Sequence, residues 1–297
     1  MTDSSQTAAP SARSRSKASW KFAQDDEIAP GLRAVRHLGG GAVFEAYLAR
    51  DEQRLSFVVC KLLRPDRMAD AKALRLLRRE SGLLARLSHP VIVRRLGATL
   101  EGPHPHLLLE HVDRISLRRR LRRDGPLPLE RMLPMALRLG AALHYLAAEG
   151  VVHLDVKPGN VLLGTPPRLI DFSLARKVES AGRLRQALGT TAYMAPEQCA
   201  PGERGGIGPA TDVWGLGVTL YEALAGRVPF PGNAPGARYP QLDCAPAPLP
   251  GSTPAELAQV ILQCLSRDPA ARPAAGGIVA ALEPLAASLA APQRARG

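Results

Sequence analysis

Residues 153–160 read H-L-D-V-K-P-G-N and set a carboxylate (Asp155), an amine (Lys157) and an amide (Asn160) within six positions. They fall between a periodic apolar stretch ending at Gly150 and a short apolar run, 161–163, so one loop can aim all three at a single point. There the carboxylate can accept the proton of an attacking hydroxyl. The amine can neutralise charge on a transferring phosphoryl group, and the amide oxygen can ligate Mg2+. A polar loop that merely caps the preceding helix would use the same residue types. That bland reading leaves a second acid unexplained: eleven residues after Asn160, I-D-F-S puts Asp171 directly behind Leu169 and Ile170. A carboxylate emerging from a buried strand is costly without a cation, and Mg2+ fits the need.

The elements that must position these groups follow from the apolar pattern. Residues 1–30 are polar, rich in Ser, Ala and Arg, have no hydrophobic period and are expected to lack fixed structure. Strands are predicted over 33–38, 43–49 and 56–62, broken by the glycines at 39–41 and by Asp51, Glu52 and Gln53. A helix over about 70–87 carries Leu74, Leu77, Leu84 and Leu87 on one face, and strands near 91–100 and 107–111 complete a small β-rich unit. Beyond Val112 the pattern turns helical. Leu133, Ala136, Leu137, Gly140, Leu143 and Leu146 form one stripe, and 211–225 is apolar almost all round, as in a helix at the centre of a lobe. A Pro/Gly-rich loop over 231–250 precedes two more helices, one through Leu257, Val260, Ile261 and Cys264, the other over 278–289.

Composition narrows the class. The chain has 297 residues, 45% hydrophobic and 22% charged, as in an ordinary globular protein with one large or two small domains. Its formal charge of +12 is concentrated in the first residues (Arg13, Arg15, Lys17, Lys21) and in the runs 75–79 and 118–123. Aromatic residues do not interleave these runs, so solvated helix faces are favoured over a nucleic-acid surface. The run 118–123 could favour acidic protein substrates, with a solvated face as the simpler alternative. Cys60, Cys199, Cys244 and Cys264 stand far apart, which suits neither zinc nor a disulfide framework and points to the cytoplasm. No apolar stretch is long enough to span a bilayer, and the N-terminus lacks a signal-peptide core.

The motifs, taken in order, resemble the protein kinase family over about residues 33–290, and in style its bacterial serine/threonine branch. The resemblance implies an α+β, two-lobed fold: an antiparallel β-rich N-lobe with one helix over 31–112, a mainly helical C-lobe over 113–290, and tails at 1–30 and 291–297. It implies transfer of the ATP γ-phosphate to Ser or Thr hydroxyls of proteins, with Mg2+ or alternatively Mn2+, and autophosphorylation as a further outcome. No membrane or nucleic-acid partner is expected. By the same resemblance Asp155 is the base, Lys157 contacts phosphate, Asn160 and Asp171 hold the metal, and Thr190 in G-T-T-A-Y bonds Asp155 and Lys157. Lys61 holds the α- and β-phosphates and pairs with Glu80. Leu38, Gly39 and Gly41 belong to the loop over the phosphates. Ala46 and Val59 roof the adenine, Leu162 floors it, Leu109 is the gatekeeper, and backbone groups of Glu110 and Val112 meet its polar edge. Glu197 in A-P-E pairs with Arg272, and Asp212 braces the catalytic loop.

Three positions depart from the family pattern. Phe44 replaces the third glycine of the phosphate loop, and its ring is expected either to loosen the loop tip or to fold over the γ-phosphate, weakening ATP binding. Ser173 replaces the glycine after Asp171-Phe172 and biases how Phe172 sits against Leu84 and His153. Leu154 stands where many relatives carry an arginine that reads a phosphorylated loop, so control by loop phosphorylation is not expected. Phe44 and Ser173 also support the alternative of a pseudokinase acting as a nucleotide-binding or scaffold protein.

Overall fold

A computed structural model describes residues 18–230 and 238–290. The serines at 4, 5, 11, 14 and 16, the first part of the proline-rich loop and the C-terminal tail over 291–297 lie outside the described residues. The N-terminal half-molecule is a six-stranded antiparallel sheet in the order β1-β2-β3-β4-β6-β5. Its strands are β1 (Glu27–Ala29), β2 (Leu32–Gly40), β3 (Phe44–Asp51), β4 (Ser56–Leu63), β5 (Arg95–Thr99) and β6 (His106–Glu110). Tyr47, Leu48 and Ala49 on β3 and Val58, Cys60 and Leu62 on β4 are buried, which fixes the register of the two central strands. Helix α1 (Ala71–Leu84) begins at Asp70, whose carboxylate accepts from the Lys72 and Ala73 amides, and it buries Ala73, Leu77, Glu80 and Leu84.

Residues 18–30 depart from the expectation of a tail without fixed structure. β1 pairs with β2, and Trp20 and Phe22 pack with Tyr47 and His104 against the outer face of the sheet. The Trp20 indole donates to the Leu63 carbonyl at 2.7 Å. Two aromatic residues in a polar stretch carry no periodicity, so only the sheet they meet reveals the strap they form.

The remainder is helical: α2 (Leu117–Asp124), α3 (Leu129–Ala148), the short α4 (Val178–Ala181) and α5 (Pro196–Cys199), α6 (Pro209–Ala225), α7 (Ala255–Cys264) and α8 (Ala275–Ala290). Two-residue strands β7 (Val151–Val152) and β10 (Arg176–Lys177) pair with each other, as do β8 (Val161–Leu162) and β9 (Arg168–Leu169). α3 packs on α6 and α8, and α6 buries Thr211 through Tyr221 without a break, as its all-round apolar sequence requires. This is the two-lobed architecture that the motifs imply.

All four cysteines are free; Cys244 is exposed and the other three are buried. Burial pushes the Cys199 and Cys264 thiols up to about 12. Thiolate is the reactive form, so titration of the native protein with a disulfide reagent at pH 8 is expected to find one rapid thiol, rising to four on denaturation. A second rapid thiol before unfolding would contradict the packing described.

Candidate active site

The loop over residues 153–160 is held from beneath. Asp212 on α6 accepts from the His153 and Leu154 amides at 2.6 and 2.7 Å. Burial pushes its carboxyl up, and these two N–H donors oppose that shift. Gly215, one turn further along α6, permits the approach: a Cβ there would sit 2.9 Å from the Val156 carbonyl oxygen. Above this brace, Lys157 Nζ donates to Asp155 Oδ2 and to Thr190 Oγ1, both at 2.6 Å, and the Thr190 hydroxyl donates to Asp155 Oδ1 at 2.8 Å. Asn160 Nδ2 donates to the Asp155 carbonyl at 2.9 Å and to its carboxylate at 3.1 Å. Three contacts therefore fix the Asp155 carboxylate, and the Asn160 amide oxygen is left for another ligand.

Lys61 brings a second group of acids together. Its ammonium contacts both Glu80 carboxylate oxygens at 2.8 Å and Asp171 Oδ1 at 2.7 Å. Burial disfavours the lysine's charge, but Asp171 and Glu80 outweigh it and hold Lys61 above its ordinary value. Burial likewise pushes Asp171 up, yet Lys61 wins and keeps that carboxyl well below the usual carboxylate range. Asp171 has a left-handed φ of 64°, uncommon for a non-glycine residue and concentrated at functional sites. The next residue, Phe172, is fully buried with its ring edge-on to His153 at 4.6 Å. Arg79 on α1 donates to the Ser173 carbonyl at 2.7 Å, tying the helix that carries Glu80 to the segment after Asp171. No motif singles out Arg79.

The glycine-rich turn joins β2 to β3. Gly39 has φ 122°, which an L side chain rarely adopts, and a Cβ on Gly40 would lie 2.5 Å from the Phe44 carbonyl oxygen. Motif spacing selects Gly39 and Gly41, whereas sterics select Gly39 and Gly40. Gly41 bonds through its backbone, donating to the Phe44 carbonyl at 2.9 Å and accepting from Arg64 Nε at 2.8 Å. The Phe44 ring is buried at the start of β3 and lines the cleft, with Lys61 Nζ 4.9 Å from its centroid. Behind the turn, Arg64 forms a buried ion pair with Glu45 at 2.7 Å and donates to the Ala18 carbonyl at 2.7 Å, while the Trp20 amide donates to Glu45 Oε2 at 3.2 Å. The N-terminal strap and the glycine turn thus share one arginine.

Beneath the turn opens a cleft of about 760 Å³ lined by Leu38, Gly39, Gly41, Ala46, Val59, Lys61, Leu109, Glu110, Val112, Asn160, Leu162 and Asp171. Leu38 is an exposed apolar side chain on its edge. At the back, the Glu110 N–H is committed to the Arg94 carbonyl and the Val112 carbonyl accepts from the Arg114 N–H. Glu110 also holds Arg168 at 3.0 Å through its side chain, so it stiffens the segment between the lobes.

The segment after Asp171 is fastened at both ends. Leu154 is buried with Val152, Ala181 and Ile207, and Leu174, Val178 and Leu184 pack on that cluster. Its backbone has a left-handed φ of 67°. At the other end the Glu197 carboxylate receives Arg272 at 2.7 and 2.8 Å with both side chains fully buried, and Thr211 adds a bond at 2.8 Å. Arg176, within the segment on β10, is lowered to about 10 by burial and by the neighbouring charge of Arg79.

This fold and this constellation of side chains define a class. A protein-family model for the protein kinase domain matches residues 32–282, and the chain belongs to that family. Among curated proteins it is similar to the serine/threonine-protein kinase pkn2 of Myxococcus xanthus, 32% identical over 269 residues, covering 85% of this chain and 32% of the relative. It is 34% identical over 248 residues to PknB of Mycolicibacterium smegmatis, covering 78% of this chain and 39% of that protein. For PkaA of Streptomyces coelicolor the figures are 36% over 236 residues, 77% and 43%. The chain spans about a third to two fifths of the length of these relatives. Among the described residues, no helix is long and apolar enough to cross a membrane.

Proposed function

We propose that the chain is an ATP-dependent protein serine/threonine kinase. The observation that carries this is the closed triangle of Asp155, Lys157 and Thr190, which joins the base to a cation and to the segment that would present the substrate. A Ser or Thr hydroxyl brought beside Asp155 gives its proton to that carboxylate as its oxygen bonds to the γ-phosphorus. The bond from the γ-phosphorus to the bridging oxygen breaks, and ADP leaves with that electron pair. Lys157 offsets negative charge on the transferring group, and Lys61, fixed by Glu80, holds the α- and β-phosphates. Leu38, Ala46, Val59 and Leu162 would enclose the adenine, whose polar edge meets Val112 and the Glu110 backbone. Asn160 and Asp171 offer hard oxygen ligands, which suits Mg2+ and equally admits Mn2+. When bound there, the ion would neutralise phosphate charge. Four free thiols suit the cytoplasm as the compartment.

The test is transfer of ³²P from γ-labelled ATP to a generic protein substrate and to the chain itself, followed by phosphoamino-acid analysis. Phosphoserine or phosphothreonine is expected. Nucleotide binding without transfer would favour the pseudokinase, and phosphotyrosine alone would remove the class assignment.

We further propose that the enzyme does not depend on phosphorylation of the segment between Asp171 and Glu197. The apolar cluster around Leu154 fastens the segment where an arginine and a phosphate would otherwise meet. Replacing Ser180 and Thr191 together by Ala is expected to leave kcat/KM within about threefold, since both side chains are exposed. A loss of more than about tenfold would reverse this conclusion.

A further inference from the structure

We propose that helix α2 and the loop before it bind anionic side chains of the protein substrate, so that the enzyme selects Ser or Thr with acidic neighbours; this rests on the kinase function proposed above. Residues 113–124 hold six arginines and two aspartates. Asp124 takes up two of the cations, pairing with Arg120 at 3.1 Å and Arg123 at 2.8 Å. Arg114, Arg118, Arg119 and Arg122 have no carboxylate partner among the described residues.

Three of these four lie at the cleft mouth or against the loop that carries Asp155. Arg118 lies against Gly159 of the catalytic loop: a Cβ on that glycine would be 3.5 Å from Arg118 Nε and 3.7 Å from Lys157 Cε. Arg118 and Lys157 therefore flank the same residue, next to Asn160 and within the loop that carries Asp155. Arg118 is also poorly satisfied. It lies over the Tyr193 ring at 5.7 Å and makes a 3.3 Å bond to that hydroxyl, while its Nε, screened from solvent, has no acceptor among the described residues. Arg114 and Arg119, both exposed, line the mouth of the cleft together with Ser116 and Gly159.

A solvated helix face would account for Arg122 and for the pair held by Asp124. It does not account for Arg114 and Arg119 lining the cleft mouth, where Asp113 is one acid beside them, with Arg118 set against Gly159 and over the Tyr193 ring at 5.7 Å. Their potential raises the local concentration of anions, and the planar fork of arginine suits carboxylate or phosphate oxygens. The basic segment around Ser11, Ser14 and Ser16, with Arg13, Arg15 and Lys17, is by the same logic a poor substrate.

The full chain is assayed with γ-labelled ATP on peptides that differ only in the residues around one Ser: Ala, Glu, Lys or phosphoserine neighbours on either side, plus a peptide of residues 9–21. The expected result is a kcat/KM about tenfold higher with Glu than with Lys neighbours, as one or two ion pairs supply, narrowing as salt is raised. Preference for phosphoserine neighbours alone would also support an anion site and would name phosphate as its source. Arg118→Glu with Arg119→Glu is expected to erase or invert the Glu-to-Ala ratio. Because that ratio is taken on one enzyme, a general loss of activity does not mimic the effect. A wild type indifferent to neighbours or favouring Lys, or a double variant that keeps the ratio, overturns the proposal. Failure of the wild type to label any peptide or protein overturns the kinase assignment instead.

Discussion

Asp155→Asn is expected to lower kcat by about 10²–10⁴-fold, the usual loss when a general base is removed. The substitution keeps size and shape, so Thr190 and Asn160 retain a partner of similar reach. What it removes is the proton acceptor and the charge opposite Lys157. Nucleotide affinity should stay within about threefold, because Lys61, Leu38 and Val59 contact neither Asp155 nor its partners. Kinetics on one peptide, with titration of a fluorescent ADP analogue, measure both quantities. A variant that keeps more than a tenth of wild-type kcat would show that Asp155 is not the base. Equal, near-zero rates in wild type and variant would revive the pseudokinase.

Removing one partner of the Glu197–Arg272 pair is expected to have the largest effect on stability. Both side chains are fully buried, and Arg272 also donates to the Ser266 and Ala210 carbonyls at 2.8 and 2.9 Å. Taking away either partner strands the other charge in the interior, at a cost of about 3–5 kcal/mol. Arg272→Ala loses more than the charge, since its guanidinium lies over the Trp214 ring at 5.0 Å. The expected fall in melting temperature is about 10 °C, read by calorimetry. Replacing both members by apolar residues of similar volume should recover much of the loss. Single variants that melt within about 2 °C of wild type would show the pair to be stabilising nothing.

What the sequence disclosed divides by chemistry. Asp155, Lys157 and Asn160 are legible because the task proposed for them demands fixed spacing within one loop. Lys61, Glu80 and Asp171 lie far apart along the chain but keep a distinctive order. The lobes were legible too, since alternation in the strands and the apolar run of α6 each admit few alternatives. Less visible were groups whose role is made by contact alone. Arg64, Glu45 and Trp20 carry no spacing signal, and Arg79 looks like one more charge in a basic helix. Gly40 hides between two glycines that the motif prefers, although only sterics decide which of the three is constrained. Phe44, named by its place in a loop motif, has its ring packed into the core at the edge of the cleft, a placement that spacing alone does not disclose. Leu154 shows the opposite case: an absence noticed in sequence became a positive apolar contact in the structure.

The strap at residues 18–29 makes the molecule its own spectroscopic probe. Trp20 touches the strand that leads into Arg64, and Arg64 holds the Gly41 carbonyl. By thermodynamic reciprocity, if the strap favours the nucleotide-bound turn by some factor, nucleotide must tighten the strap by the same factor. The only other tryptophan, Trp214, is fully buried on α6 beneath the catalytic loop. Adding ADP is therefore expected to change the emission of Trp20 and not of Trp214, so Trp20→Phe should silence the signal. Losing one such indole bond, worth about 1 kcal/mol, should also weaken ADP binding, by at most about fivefold when all of that energy is coupled to the turn. An unchanged affinity and a signal that survives in Trp20→Phe would show that the strap and the glycine turn move independently.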